Sequence, residues 1–157
     1  MPLLAQVAHE SGGFARTEEA LSYTAGRLVE VWPSRFPTLA AAQPYARNPK
    51  ALACKVYGGR LGNASPPSLD GWTYRGSGGL GTTGRANFRE VGAEADPDRL
   101  RTPEGFLAPA LHYWTSRGCN ALADRDDVAG LTRKINGGDN GLADRRTRLA
   151  AARRAFA

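Results

Sequence analysis

The stretch LAQVAHESGGFARTEEALSYTAGRL, residues 4–28, decides how the rest of the chain is read. A short apolar run ends in His9-Glu10, Ser11-Gly12-Gly13 breaks it, and a second acidic pair, Glu18-Glu19, follows at once. A surface helix places acids anywhere on its wet face. Here one carboxylate closes an apolar helix beside a chain break, and others return just beyond it. Two carboxylates in different settings, at the edge of a cleft, are what acid–base chemistry on one bond needs.

Working outward, hydrophobic periodicity predicts a helix over 3–11, with Leu3, Leu4, Val7 and Ala8 on one face and Gly12-Gly13 as its stop. A second helix is predicted over 24–32, ahead of Trp32-Pro33. A third starts at Thr38 and is limited by Pro44. Residues 48–59 read as a helix capped by Asn48, with Pro49 in the first turn and Gly58-Gly59 at the end. Residues 60–84, RLGNASPPSLDGWTYRGSGGLGTTG, are loop-rich, with at most a short hairpin. A short helix, RANFREVGAE, follows. The segment 102–118 is capped by Thr102 and should kink or split at Pro109. Helices over 126–138, stopped by Gly137-Gly138, and 143–156 complete the chain. The expected fold class is mainly α, with a loop-rich central segment and few short strands.

At 157 residues, 41% of them apolar and 23% charged, the chain has the size and composition of a single domain, spanning 1–157, that buries its own core. Its formal charge is +6, and arginines thicken near the end: Arg145, Arg146, Arg148, Arg153 and Arg154. Such a surface favours a polyanion, or is simply a solvated helix face. No nucleic-acid-binding motif or phosphate loop accompanies it, so nucleic acid is not an expected partner. Cys54 and Cys119 are too few for a disulfide framework and read as buried free thiols. His9, His112 and the cysteines show no zinc spacing, so neither metal nor cofactor is expected. The N-terminus lacks a basic segment and a long apolar core, which argues against a signal peptide. No apolar run approaches the roughly 18 residues of a membrane helix. Nothing signals oligomerisation, and a monomer is expected.

Six stretches, LAQVAHESGGF (4–14), NPKALACKVYGGRLGN (48–63), DGWTYRG (70–76), TTGRANFREVG (82–92), YWTSRGCNALAD (113–124) and INGGDNGLADRR (135–146), resemble glycoside hydrolase family 19 and run in that family's order. The chain looks most like the compact members found among phage and prophage endolysins. The resemblance implies a lysozyme-like, two-lobed helical domain and an inverting glycosidase. Inversion needs one carboxylic acid to protonate the leaving oxygen and one carboxylate to activate water on the opposite face of the sugar, roughly 6.5–9.5 Å apart.

The resemblance places the proton donor at Glu10 and the base at an acid soon after the Gly-Gly turn, Glu19 in preference to its neighbour Glu18. Thr83 matches a hydroxyl that holds the attacking water, or is a turn-forming Thr before Gly84, and Asn136 matches an Asn that bonds sugar, or caps and ends a helix. Arg145 is read as pairing with a catalytic carboxylate or as a solvated Arg. Tyr74 and Trp72 are read as sugar-stacking rings or as core anchors, and Tyr23 as a further substrate contact. Three residues depart from the usual pattern. Ser77 stands where an Arg is usual, Gly81 where a Gln usually touches substrate, and Gly79 in place of a bulky apolar residue, so a loss of charge, of an amide donor and of core volume is expected. Relatives also usually carry another helix before LAQVAHES, whose absence would uncover Leu3 and Leu4.

The expected function is endo-acting hydrolysis of β-1,4 bonds between N-acetylated sugars of bacterial peptidoglycan. The enzyme would be held in the cytoplasm of the producing cell and act on the wall after release, with electrostatic contact to the anionic envelope. Chitin hydrolysis is an alternative, although plant-type chitinases tend to have longer loops, several disulfides and a secretion signal. The altered 77–81 segment keeps open a catalytically weak, wall-binding protein of the same fold.

Overall fold

A computed structural model describes residues 1–156. Among the described residues ten α-helices carry the architecture: α1 Pro2–Glu10, α2 Ala25–Val31, α3 Leu39–Ala42, α4 Pro49–Tyr57, α5 Asp70–Thr73, α6 Arg85–Glu90, α7 Ala108–Ser116, α8 Asn120–Ala123, α9 Val128–Asn136 and α10 Leu142–Ala155. The fold is mainly helical and loop-rich, as a lysozyme-like fold requires. The expected short strands do not form among the described residues, where pairing is confined to isolated bridges, Glu18 with Ser77 and Ser77 with Thr82. Glycine is the reason. Gly78 and Gly81 take φ of 74° and 68°, turning the backbone out of the extended region, so the chain closes after a single residue pair.

The chain divides into two compact units. The first comprises Met1–Glu18, Ser77–Thr82 and the chain from Asp98 onward. Here α1 lies along α10, α10 packs on α9, and α9 on α8. Val7 meets Phe106 and Ala110 in one apolar cluster, and Trp114, Cys119 and Leu131 form another. Ala5, Gln6, Val7 and Ala8 are the buried part of α1, so the helix sits deeper than its Leu3–Leu4 face suggests. Leu4 lines an apolar groove of about 450 Å³ with Ala5, Ala8, Phe14 and the alanines of α10.

Gly79 does not leave the expected hole in this unit. A Cβ built there would lie 2.8 Å from Val7 Cγ1 and 3.4 Å from the Phe106 ring, so Val7 and Phe106 already fill the space. The charge expected to be lost at Ser77 is supplied from elsewhere, since Arg101 Nε donates to the fully buried Ser77 hydroxyl at 3.0 Å.

Pro109 does not split a helix. It lies in the first turn of α7, where its missing N–H costs no bond. Thr102 caps a turn instead, accepting from Gly105 N. The α9 stop is as expected, with Gly137 left-handed at φ 78°.

The second unit, Glu19–Gly76 with Thr83–Pro97, holds the aromatic core. Leu28, Phe36, Leu52 and Val56 are buried together, with Tyr23, Trp32, Tyr45 and Tyr57 against them. The helix α4 starts as its sequence dictates, with the Asn48 side chain accepting from Ala51 N. The segment read as a loop contains α5, which packs on α4 because Gly71 passes the Ala53–Cys54 backbone with no room for a side chain.

Glu94 clamps α6 by accepting from both Arg85 and Arg89. These bonds, from Arg89 first and then Arg85, lower its pKa to about 2. A depressed carboxylate stabilises the fold above its ordinary value and loses that contribution as pH falls through the folded value. The gap in thermal midpoint between wild type and Glu94→Gln should therefore be constant near neutrality and close as pH drops from 4.5 towards about 2.

Candidate active site

Glu10 is the last residue of α1. Its carboxylate accepts from Arg145 Nη2 at 2.5 Å, and the Arg145 side chain is 1% exposed against 31% for Glu10. Arg145 also donates to Gln6 through Nη1. Gln6 and Glu10 stand one turn apart on the same face of α1, so a single guanidinium from α10 grips both. Arg145 is thus a paired, buried cation rather than a solvated one.

On its other side His9 Nδ1 bonds Asp144 at 2.6 Å, and Arg148 bonds the same carboxylate. These two partners, His9 first, lower the Asp144 pKa below its ordinary value. Gly141 is left-handed at φ 75° and sits against the His9 ring, where any Cβ would collide. The end of α1 is therefore pinned to the start of α10 by the Arg145–Glu10 and His9–Asp144 bonds.

The acidic pair Glu18-Glu19 divides between the units. Glu18 is exposed and pairs with Arg101 at 3.3 Å in the first unit. Glu19 is half-buried in the second. Its Oε1 accepts from Gly76 N at 2.6 Å and its Oε2 from the Tyr57 hydroxyl at 2.7 Å. Glu19 N in turn donates to Gly76 O at 2.9 Å. A Cβ built on Gly76 would lie 3.1 Å from Glu19 Oε1 and 3.2 Å from Thr83 Oγ1. Gly76 is thus the point where the Glu19 carboxylate and the Thr83 hydroxyl converge, and a methyl there would press on both. Gly76→Ala should lower turnover about tenfold or more, through misplacement of the Glu19 carboxylate and the Thr83 hydroxyl, with a thermal midpoint that falls little. Initial rate and a melting curve check this.

The other sequence-derived candidates fall as follows. Tyr23 is half-buried, its ring 5.4 Å from Trp32 edge to face. Tyr74 is 7% exposed, packs on Phe88 and donates to Glu94 O; of its two readings, the structure places it as a core anchor. Trp72 carries Arg75 over its ring at 3.8 Å. Asn136 is exposed at the end of α9. Gly81 is left-handed at φ 68° with open space around its Cβ position.

Sequence reasoning missed Gln6, Tyr57, Gly76 and Arg101. Gln6 had a signal, a polar residue inside an apolar helix one turn before Glu10. Tyr57, Gly76 and Arg101 reach the acids only through tertiary folding.

Cys54 and Cys119 are both free, and burial pushes the Cys119 thiol pKa up. Among the described residues no cluster of His, Cys, Asp and Glu is fit to hold a metal, and no helix is long and apolar enough to cross a membrane.

No family model matches the chain. A protein of Haemophilus influenzae described as "Glycosyl hydrolase family 19 domain-containing protein" is 37% identical over 147 residues, spanning 90% of this chain and 72% of that protein. An identity of that level over so much of both sequences fixes membership, and the chain belongs to glycosyl hydrolase family 19.

Proposed function

We propose that the chain is an endo-acting, inverting glycosidase that cuts β-1,4 bonds between N-acetylated sugars of bacterial peptidoglycan, as an endolysin. The observation that carries the reading is the seat of Glu19. A carboxylate held on both oxygens beside a threonine hydroxyl is equipped to orient and deprotonate a water. Glu10 is the complementary acid.

In the reaction Glu10 gives its proton to the glycosidic oxygen as the bond to the anomeric carbon breaks. Water positioned by Thr83 attacks that carbon from the opposite face, and Glu19 takes the water's proton. Stereochemical inversion follows from the single displacement. Arg145 holds the Glu10 carboxylate in register, and no cofactor is required. Asn136 and Tyr23 are proposed to contact sugar.

The positive charge and the two free thiols favour peptidoglycan over chitin. Mass analysis of purified peptidoglycan after digestion tests the reading, because it shows whether a bond is cut and which one. Cleavage of chitin oligomers alone would move the substrate to chitin, and binding without cleavage would make the chain a wall-binding protein. The protein is proposed to act as a monomer on the wall after accumulating in the cytoplasm.

The arginine-rich helix is less charged in effect than its sequence suggests. Arg145, Arg148 and Arg153 are paired with Glu10, Asp144 and Asp126, leaving Arg146 and Arg154 as the residues of this set best placed to meet an anionic envelope. Lysis of cells should weaken as salt takes the Debye length below roughly 10 Å, while hydrolysis of a short neutral chitooligosaccharide changes much less. Substituting Arg146 and Arg154 together should remove most of that difference.

A further inference from the structure

We propose that Tyr57 is a positioning residue for Glu19, its hydroxyl fixing the carboxylate, with the Gly76 N–H, in the orientation and charge state that water activation needs. The proposal rests on the reading of Glu19 as the base.

Tyr57 ends α4 and is built to stay where it is. Its ring packs against the aromatic core of the second unit. Its carbonyl accepts from Asn63 Nδ2 at 3.0 Å, and Asn63, 6% exposed, accepts from Arg85 N at 2.8 Å. The next residue, Gly58, passes so close to Cys54 O and Pro66 that a side chain there would have to displace them. The phenol is therefore a donor on a rigid arm, which is what separates a group held for chemistry from a mobile surface hydroxyl.

Glu19 accepts on both oxygens, from Gly76 N on Oε1 and from the Tyr57 hydroxyl on Oε2. A carboxylate has further lone pairs, so a water can still be received. Hydrogen bonds donated to the ionised form favour that form, and a base must be ionised to accept a proton. The charged and titratable groups acting on the phenol are Glu19, Tyr23 and Arg60. Burial first, and then Glu19, raise the Tyr57 pKa above its ordinary value, so the hydroxyl keeps its proton and remains a donor over the pH range in which glycosidases work. The adjacent Glu18 is paired with Arg101 and supplies no competing acceptor.

The test is the pH dependence of initial rate on purified peptidoglycan, with thermal midpoints recorded for every protein. Tyr57→Phe keeps the ring and loses the donor. Its acid limb should move up, and kcat should fall about tenfold with little change in KM. Fluorotyrosines placed site-specifically at 57 keep the fold while making the phenol a progressively better donor, and the acid limb should then move down in step with its acidity. Loss of stability with an unmoved acid limb would make Tyr57 a packing residue only and overturn the proposal. If Glu19→Gln is inactive while Tyr57→Phe and the fluorotyrosines keep the wild-type profile, this inference alone falls. If Glu19→Gln retains turnover, the base assignment falls and takes this inference with it.

Discussion

Glu10→Gln should lower the initial rate on purified peptidoglycan by about 10²–10⁴-fold, the contribution typical of a general acid. The amide keeps the shape of the side chain and removes the proton to be given. It also changes the partner of Arg145, 1% exposed and bonded to Gln6, from a carboxyl group to an amide. The amide oxygen can still accept from Nη2, so the cost should stay within about 1–3 kcal/mol and appear as a modest fall in thermal midpoint. Rates are therefore compared well below either midpoint, where both proteins are folded. Arg145→Lys is the control: it keeps the charge, loses the two-pronged grip on Gln6 and Glu10, and should cost far less activity than Glu10→Gln. Wild-type rates in Glu10→Gln would remove Glu10 from the chemistry.

Reading the fold from sequence succeeded where local signals and tertiary packing agree. Asn48 followed by Pro49 starts α4, and Gly137 ends α9, because caps and left-handed stops act within a few residues. Pro109 was misread because a proline inside a long periodic segment and a proline in the first turn of a shorter helix look alike from sequence. The boundary was decided by where residues 102–107 turn, with Thr102 capping Gly105. Residues 60–84 hid α5 because Asp70–Thr73 is a single turn that gains its stability from contact with α4.

The site was legible to the extent that motifs name reacting groups. Glu10 and the Glu18-Glu19 pair stood out as acids beside a chain break. Of what holds them only Arg145 stood out, because no local pattern connects Arg145 with Gln6, Tyr57 with Glu19 or Arg101 with Glu18. Gly79 shows the same limit in reverse. Its lack of a side chain read as a missing piece of core, whereas Val7 and Phe106 occupy that space. A departure from a family pattern at one position is interpretable only with its spatial neighbours.

Glu19→Gln should cut turnover by about 10²–10⁴-fold, while Glu18→Gln retains most activity. Adjacent side chains point in divergent directions, so at most one of two neighbouring acids can face a given water and the other meets a different partner. Glu18 has such a partner in Arg101, across a pair whose glutamate is 41% exposed. Removing it should cost no more than about 1 kcal/mol of stability. Glu19 is held by Gly76 N and Tyr57 beside Thr83, and Gln in its place keeps one acceptor oxygen for one of these bonds, can donate its amide N–H to the Tyr57 oxygen, and cannot take a proton from water. Thr83→Val should fall between the two, since it removes the hydroxyl that places the water and leaves the base. The measurement is initial rate on purified peptidoglycan for the three variants, with wall binding followed separately by pull-down. Binding should be preserved throughout, because water activation and polymer binding draw on different groups. Should Glu18→Gln be the inactive variant, the base moves by one residue and the inverting scheme stands. Should both glutamine variants keep wild-type rates, neither acid is the base, and a chain of this family that binds wall without cutting it becomes the better description.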